Sequence, residues 1–180
     1  TTQVNQGLSA AQVAALTTVQ VAALTSAQVA QGLSTAQIAA LEAQDLAALT
    51  TANLLALTTD QVRQGLTTTQ VAALTTSQVA TLTTAQLAQG LTTAQVAAME
   101  TVDVAALKTY QIAALTTTQV AQGLTASQIA QGLSTSQVRS LTSAGIAALT
   151  TTQVDAFSTA QLAQGLSTGQ VAALTTAGIA

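Results

Sequence analysis

The chain has 180 residues and a net charge of −3, with 5% charged and 1% aromatic residues and no His, Cys, Pro or Trp. That composition removes the usual ligands for zinc and haem and the thiol nucleophile. It leaves only Arg63, Lys108 and Arg139 as cations, too few and too scattered to neutralise nucleic-acid phosphates or grip an anionic membrane surface. Mean hydropathy is +0.49, yet Thr, Ser or Gln interrupts every apolar run well before the roughly 18 residues of a membrane-spanning helix.

The chain opens on Thr1-Thr-Gln-Val4, a partial copy of the unit that fills the rest, and it begins without Met. These features suggest a fragment, a processed product or an excised piece of a longer repeat region. From Ser9 onward 21 units follow one another. Each reads hydroxyl residue, hydroxyl residue, variable position, Gln, Val or Ile, Ala, Ala, Leu. Thr67–Leu82 shows the unit twice in its plainest form, TTTQVAAL then TTSQVATL.

The first position is Ser or Thr in 18 of the 21 units and the fourth is Gln in 16. This is the pattern of a helix capping box, in which the hydroxyl accepts from a backbone N–H one turn on and the Gln reaches back. Helix starts are therefore specified about every eight residues. Phase argues against a single long helix, because eight residues at 3.6 per turn rotate the apolar pair by roughly 80° per unit. No heptad or eleven-residue seam survives that drift.

The spacing predicts an all-α solenoid of short, about two-turn helices, 8–9 residues per unit, with Val/Ile and Leu inward and Thr and Gln at the corners. Helices this short are marginal alone, so neighbouring coils must hold them. The whole chain, 1–180, is expected to be one array.

Seven units are one residue longer and end in Gln-Gly-Leu, with glycines at 7, 32, 65, 90, 123, 132 and 165. Gly just past a helix end predicts a left-handed cap. Gly7, Gly65 and Gly123 are evenly spaced, and Glu42-Ala-Gln-Asp45 and Glu100-Thr-Val-Asp103 stand apart by the same interval. This suggests a 58-residue higher repeat of seven helices, read as two coils of three or four helices each. Thr175–Ala180 ends inside a unit.

Ser and Thr abound, but no base recurs beside them to activate a hydroxyl. No catalytic, cofactor-binding or metal-binding residue is assigned. Glu42 with Asp45 and Glu100 with Asp103 fit the first turns of their helices, where negative charge meets the positive dipole end. Asp60 and Asp155 read as solvated, and Met99, Tyr110 and Phe157 as local packing or surface variants.

Leu66–Leu74, LTTTQVAAL, resembles the opening helix of the repeats in plant-pathogen TAL effectors, which begin Leu-Thr-Pro-x-Gln-Val. The Pro, the base-reading loop, the second helix and the basic residues are missing here, so the likeness implies shared capping and no DNA binding. Nearly all of the chain resembles the Leu-Thr-Thr-x-Gln-Val-Ala-Ala-Leu arrays of very large bacterial secreted or surface proteins described as adhesin-like. That resemblance implies an extracellular or cell-surface stalk or fibre and carries no binding residues with it.

The expected function is a non-enzymatic structural or adhesive scaffold without cofactors, nucleic-acid partners or membrane insertion. Its expected partner is itself, end to end or through flanking repeats, with Val4→Lys or Ile179→Lys weakening assembly and Asp60→Lys leaving it alone. Competing readings are a binding surface of ordered Thr rows for ice, glycan or mineral, and a peptide-binding solenoid.

Overall fold

The computed structural model describes residues 7–177, with side chains as far as Leu174. Val4 and Ile179 lie outside the described residues. Among those described there are twenty helices and no strand. Fourteen are α-helices of four to ten residues, and six are π-helical segments of five. The all-α repeat of short helices stands as the capping pattern predicts.

The helices start where the hydroxyls are. Thr67 Oγ1 accepts the Gln70 N–H at 3.2 Å and Gln70 Oε1 accepts the Thr67 N–H at 2.8 Å. The same reciprocal pair joins Ser9 to Gln12, Ser34 to Gln37 and Thr150 to Gln153. Two successive extended residues then turn the chain into the next helix, as at Leu41 (φ −61°, ψ 140°) and Glu42 (φ −66°, ψ 150°). One departure is the helix Thr168–Ala177, which runs on through Thr175 where the repeat specifies a new start.

Cα proximity divides the chain into two compact units, Thr1–Leu91 and Thr92–Ala180. In the first, each helix packs on the one three places earlier: Thr35–Ala40 on Ala10–Ala14, Ala43–Ala47 on Thr18–Ala22, Thr68–Ala72 on Ala43–Ala47. In the second, Gln119–Gly123 packs on Thr93–Ala98, Gln128–Gly132 on Thr101–Ala106, and Thr135–Ser140 on Thr109–Ala113. Three helices thus complete one coil in each unit, and one such coil runs from Thr67 to Leu91.

This corrects the reading of the higher repeat as two coils. Seven helices are not a whole number of three-helix coils, because each Leu-Thr corner turns the chain by a third of a circuit. The even spacing of Gly7, Gly65 and Gly123 is a regularity of sequence that does not coincide with a structural period.

The core is thin and regular. The fifth-position residues Val13, Val21, Ile38, Leu46, Val71, Val104 and Ile112 are at most 1% exposed, and the closing leucines from Leu33 to Leu149 are nearly as well buried, while Leu16, Leu24 and Leu166 are half-buried. Met99 and Phe157 take the place of that Leu and are buried with it, whereas Tyr110 is an exposed third-position residue.

The nine-residue units absorb their extra residue in the last turn. In an eight-residue unit the closing Leu donates three residues back, Leu74 N–H to Val71 O at 3.2 Å; in the nine-residue units closed by Leu66, Leu91, Leu124 and Leu133 it donates five back, as from Leu91 N–H to Gln86 O at 2.8 Å. The turn widens into π geometry and the Leu still arrives at its place in the core.

That widening gives the glycines a different role from the left-handed cap their position predicts. None of the described glycines has positive φ, so none is such a cap. At Gly65, Gly90, Gly123, Gly132 and Gly165 the backbone instead comes close to the preceding coil, whereas a Cβ at Gly7 would meet nothing within 4 Å. A Cβ at Gly90 would lie 3.0 Å from Val62 Cγ1, and one at Gly132 would lie 3.0 Å from the Thr101 carbonyl oxygen. A wider turn brings backbone against the β-branched residue beneath it, so that a methyl group there would press on its neighbour by a few tenths of an ångström.

Candidate functional site

The polar chemistry of the molecule is concentrated on the fourth position, and it faces inward. Gln61, Gln70, Gln78, Gln86, Gln128, Gln137, Gln153, Gln161 and Gln170 are all buried, which moves Gln from the expected corners into the interior. Each has two tasks. Its oxygen caps its own helix, and its amide donates to the backbone of the coil before. Gln70 Nε2 lies 2.8 Å from Ile38 O and 2.7 Å from Leu41 O; Gln128 Nε2 lies 2.9 Å from Val96 O and 2.7 Å from Met99 O.

The acceptors are the carbonyls of the fifth-position residue and of the closing Leu or Met. The closing residue is extended and its carbonyl has no helical donor, so it would otherwise be a buried, unpaired acceptor. Every rung therefore satisfies a helix C-terminus of one coil and a helix N-terminus of the next. A glutamate would cap as well but could not donate. The restriction of this position to Gln, in 16 of 21 units, is the sequence signal for the rung.

Where the fourth residue is shorter, neighbours adjust. Asn53 Nδ2 keeps the rung to Leu24 O at 2.7 Å, and Ser26 of the earlier coil donates its hydroxyl to Asn53 Oδ1 at 3.0 Å. Thr18 Oγ1 donates likewise to Asp45 Oδ1 at 2.8 Å. Asp45 and Asp103 are buried in first turns, as the sequence places them, while Glu42 and Glu100 are exposed and cap nothing. Gly145 has no side chain to form a rung at all.

The remaining charged residues are dispersed. Asp60 and Asp155 are exposed. Arg63 and Arg139 each donate to a carbonyl at the end of a π-helical segment in the following coil, Gln89 O at 3.5 Å and Gln164 O at 2.8 Å. Lys108 Nζ stands 5.8 Å from the centre of the Tyr110 ring. Among the described residues no group of three or more His, Cys, Asp or Glu could hold a metal ion, and no helix is long and apolar enough to cross a membrane.

The outer surface carries the second and third positions, mostly Thr, Ser and Ala. First-position hydroxyls are engaged in capping: Thr75 Oγ1 accepts the Gln78 N–H at 3.3 Å and donates to Gln78 Oε1 at 3.1 Å. Second-position hydroxyls such as Thr76 and Thr84 are exposed.

Comparison with known proteins gives one family. The ALTTAQ repeat model matches residues 38–76, 96–131 and 131–159, more than half of the chain. No curated protein and no solved structure matches.

Proposed function

Since this chain belongs to the ALTTAQ repeat family, we infer that it serves as a non-enzymatic repeat scaffold, a stalk or spacer segment of a secreted or surface protein of the adhesin-like kind. The observation that carries this reading is the rung. Each coil is held by the coil before it through the same glutamine amides and the same apolar pair, so length can be added without altering anything already built. Such an array scales in reach and repeats its surface, and a unique pocket is not part of its plan.

The test is to duplicate one coil in place. A second copy of Thr67–Leu91 inserted after Leu91 is expected to preserve helicity per residue and a cooperative thermal melt, with a larger radius of gyration in solution scattering. Loss of the folded state on duplication would overturn the scaffold reading. For the ordered-hydroxyl alternative, capping by the first-position hydroxyls leaves the exposed second-position ones, such as Thr76 and Thr84, as the available rows. Thermal hysteresis, or selective signals on a glycan array, would favour it over the scaffold.

A further inference from the structure

All seven nine-residue units carry Gln at the seventh position, directly before the Gly, whereas eight-residue units hold Ala there or the small hydroxyls Thr81 and Ser140. Helix propensity does not ask for this Gln, since Ala is the better helix former. The six described copies are Gln31, Gln64, Gln89, Gln122, Gln131 and Gln164, one near the end of each π-helical segment. All six are exposed, and among the described residues their side chains make no hydrogen bond. Arg63 and Arg139 do reach Gln89 and Gln164, but at the backbone carbonyl.

Other polar side chains at comparable places are engaged. The fourth-position Gln70, Gln78 and Gln128 are 2% exposed and hold their rungs. Gln44, at an exposed third position, donates to Glu42 Oε2 at 2.8 Å. Thr81 and Ser140, at the seventh position of shorter units, each donate to a carbonyl three residues back at 2.7 Å. The seventh-position Gln therefore recurs with every long unit and contributes no bond to the fold.

We propose that these six glutamines are acyl-donor sites for enzymatic transamidation, through which the array is joined covalently to primary amines of other molecules. The cysteine thiolate of a transglutaminase adds at Cδ, Nε2 leaves as ammonia, and the resulting thioester passes its acyl group to an amine and regenerates the thiol. Carboxamide and amine are consumed, a substituted amide and ammonia are formed, and nothing is oxidised or reduced. Access is good: the preceding side chain is only Ala in five of the six, at 30, 88, 121, 130 and 163. Lys108 is the single lysine of the chain, so the amines come from elsewhere.

The placement of the six favours separate covalent sites over one docking surface. Gln119–Gly123 stacks on Thr93–Ala98, Gln128–Gly132 on Thr101–Ala106, and Gln161–Gly165 on Thr135–Ser140, which itself stacks on Thr109–Ala113. Gln122, Gln131 and Gln164 thus lie on three different sides of the coil, where no single flat partner meets them all. The inference goes beyond the scaffold reading, and the two fail separately. Coil duplication can fail while the amides still react, and an array that lengthens normally can prove inert to the enzyme.

The test is incorporation of dansylcadaverine into the folded chain by each of two unrelated transglutaminases, with the labelled sites mapped by peptide mass spectrometry. Label is expected at the seventh-position glutamines and absent from Gln70, Gln78 and Gln128. Replacing all six by Ala, the residue most short units carry, should leave the circular dichroism spectrum unchanged and abolish labelling at these positions. Gln64→Ala alone should remove label from that site and leave Gln89 labelled, and Lys108→Arg should be labelled like the unaltered chain. Labelling of the buried glutamines as strongly as the exposed ones, undiminished total labelling of the six-Ala variant, or no labelling by either enzyme would overturn the proposal.

Discussion

The side-chain amide of Gln78 lies 2.7 Å from the carbonyl oxygen of Leu49, one coil earlier, while the oxygen of the same side chain lies 2.8 Å from the Thr75 backbone nitrogen. One residue therefore begins its own helix and closes a helix of the coil below. A second amide contact, to Ala47 O at 3.1 Å, places the nitrogen in a cluster of oxygens that only a donor can enter.

Gln78→Glu should consequently be more damaging than removal of the polar group. The carboxylate would keep the cap but face the Leu49 and Ala47 carbonyls in a buried site, at a cost of about 3–5 kcal/mol. Gln78→Met fills similar volume and leaves one N–H and the Leu49 carbonyl unpaired, at a cost of about 1–3 kcal/mol. Urea denaturation of both variants checks the order. Equal losses would mean that the amide donor is of no importance.

The helices, their starts and the apolar faces are legible in the sequence because they rest on local chemistry: Thr75 and Gln78 are neighbours across a single turn and their capping needs no tertiary partner. The rung is not legible in the same way, because Leu49 lies a whole coil away and capping alone already accounts for the Gln. Only the absence of Glu from that position in all 21 units points to a donor. The three-helix coil is hidden for a related reason: the angle of a Leu-Thr corner depends on which carbonyl the next Gln must reach. The role of Gly132 is ambiguous in sequence because close approach and positive φ both select glycine, and only coordinates separate them.

Gly132→Ala tests that distinction. The added methyl group would sit 3.0 Å from the Thr101 carbonyl oxygen and 3.2 Å from Val104 Cβ, neither of which is the flexible end of a side chain. A loss of about 1–3 kcal/mol is expected from overpacking, even though alanine is the better helix former. A neutral or stabilising result in thermal melts would show that the coils can separate enough to admit it.

Gly145→Gln should stabilise. Gln137 reaches Val104 and Leu107, and Gln153 reaches Val120 and Leu124, so a glutamine at 145 would by the same offset reach Ile112 and Leu115. The nearest obstacle to its Cβ is Thr142 Oγ1 at 3.2 Å, a cap hydroxyl of the kind that sits beside Gln elsewhere in the array. Replacing a helical glycine contributes about 1 kcal/mol and a new buried hydrogen bond about another 1 kcal/mol. A higher midpoint in urea checks it.

Neighbouring threonines should behave unlike one another. Thr75→Ala removes the hydroxyl that accepts from the Gln78 N–H and should cost about 1 kcal/mol. Thr76→Ala, at an exposed second position, should stay within about 0.5 kcal/mol of the unaltered chain. Parallel denaturant titrations separate the two.

The switch of the closing Leu N–H from an acceptor three residues back to one five back has a bearing on inheritance. An array that grows by copying its own coding segments can gain or lose single codons, and inside a helix such an error turns the rest of that helix's side chains out of phase. Here Leu91 reaches the core at the end of a longer unit just as Leu74 does at the end of a shorter one, provided that glycine stands at the widened turn. Descendants of one ancestral unit can therefore differ in length by one codon within the helix itself and still lie side by side in a single molecule.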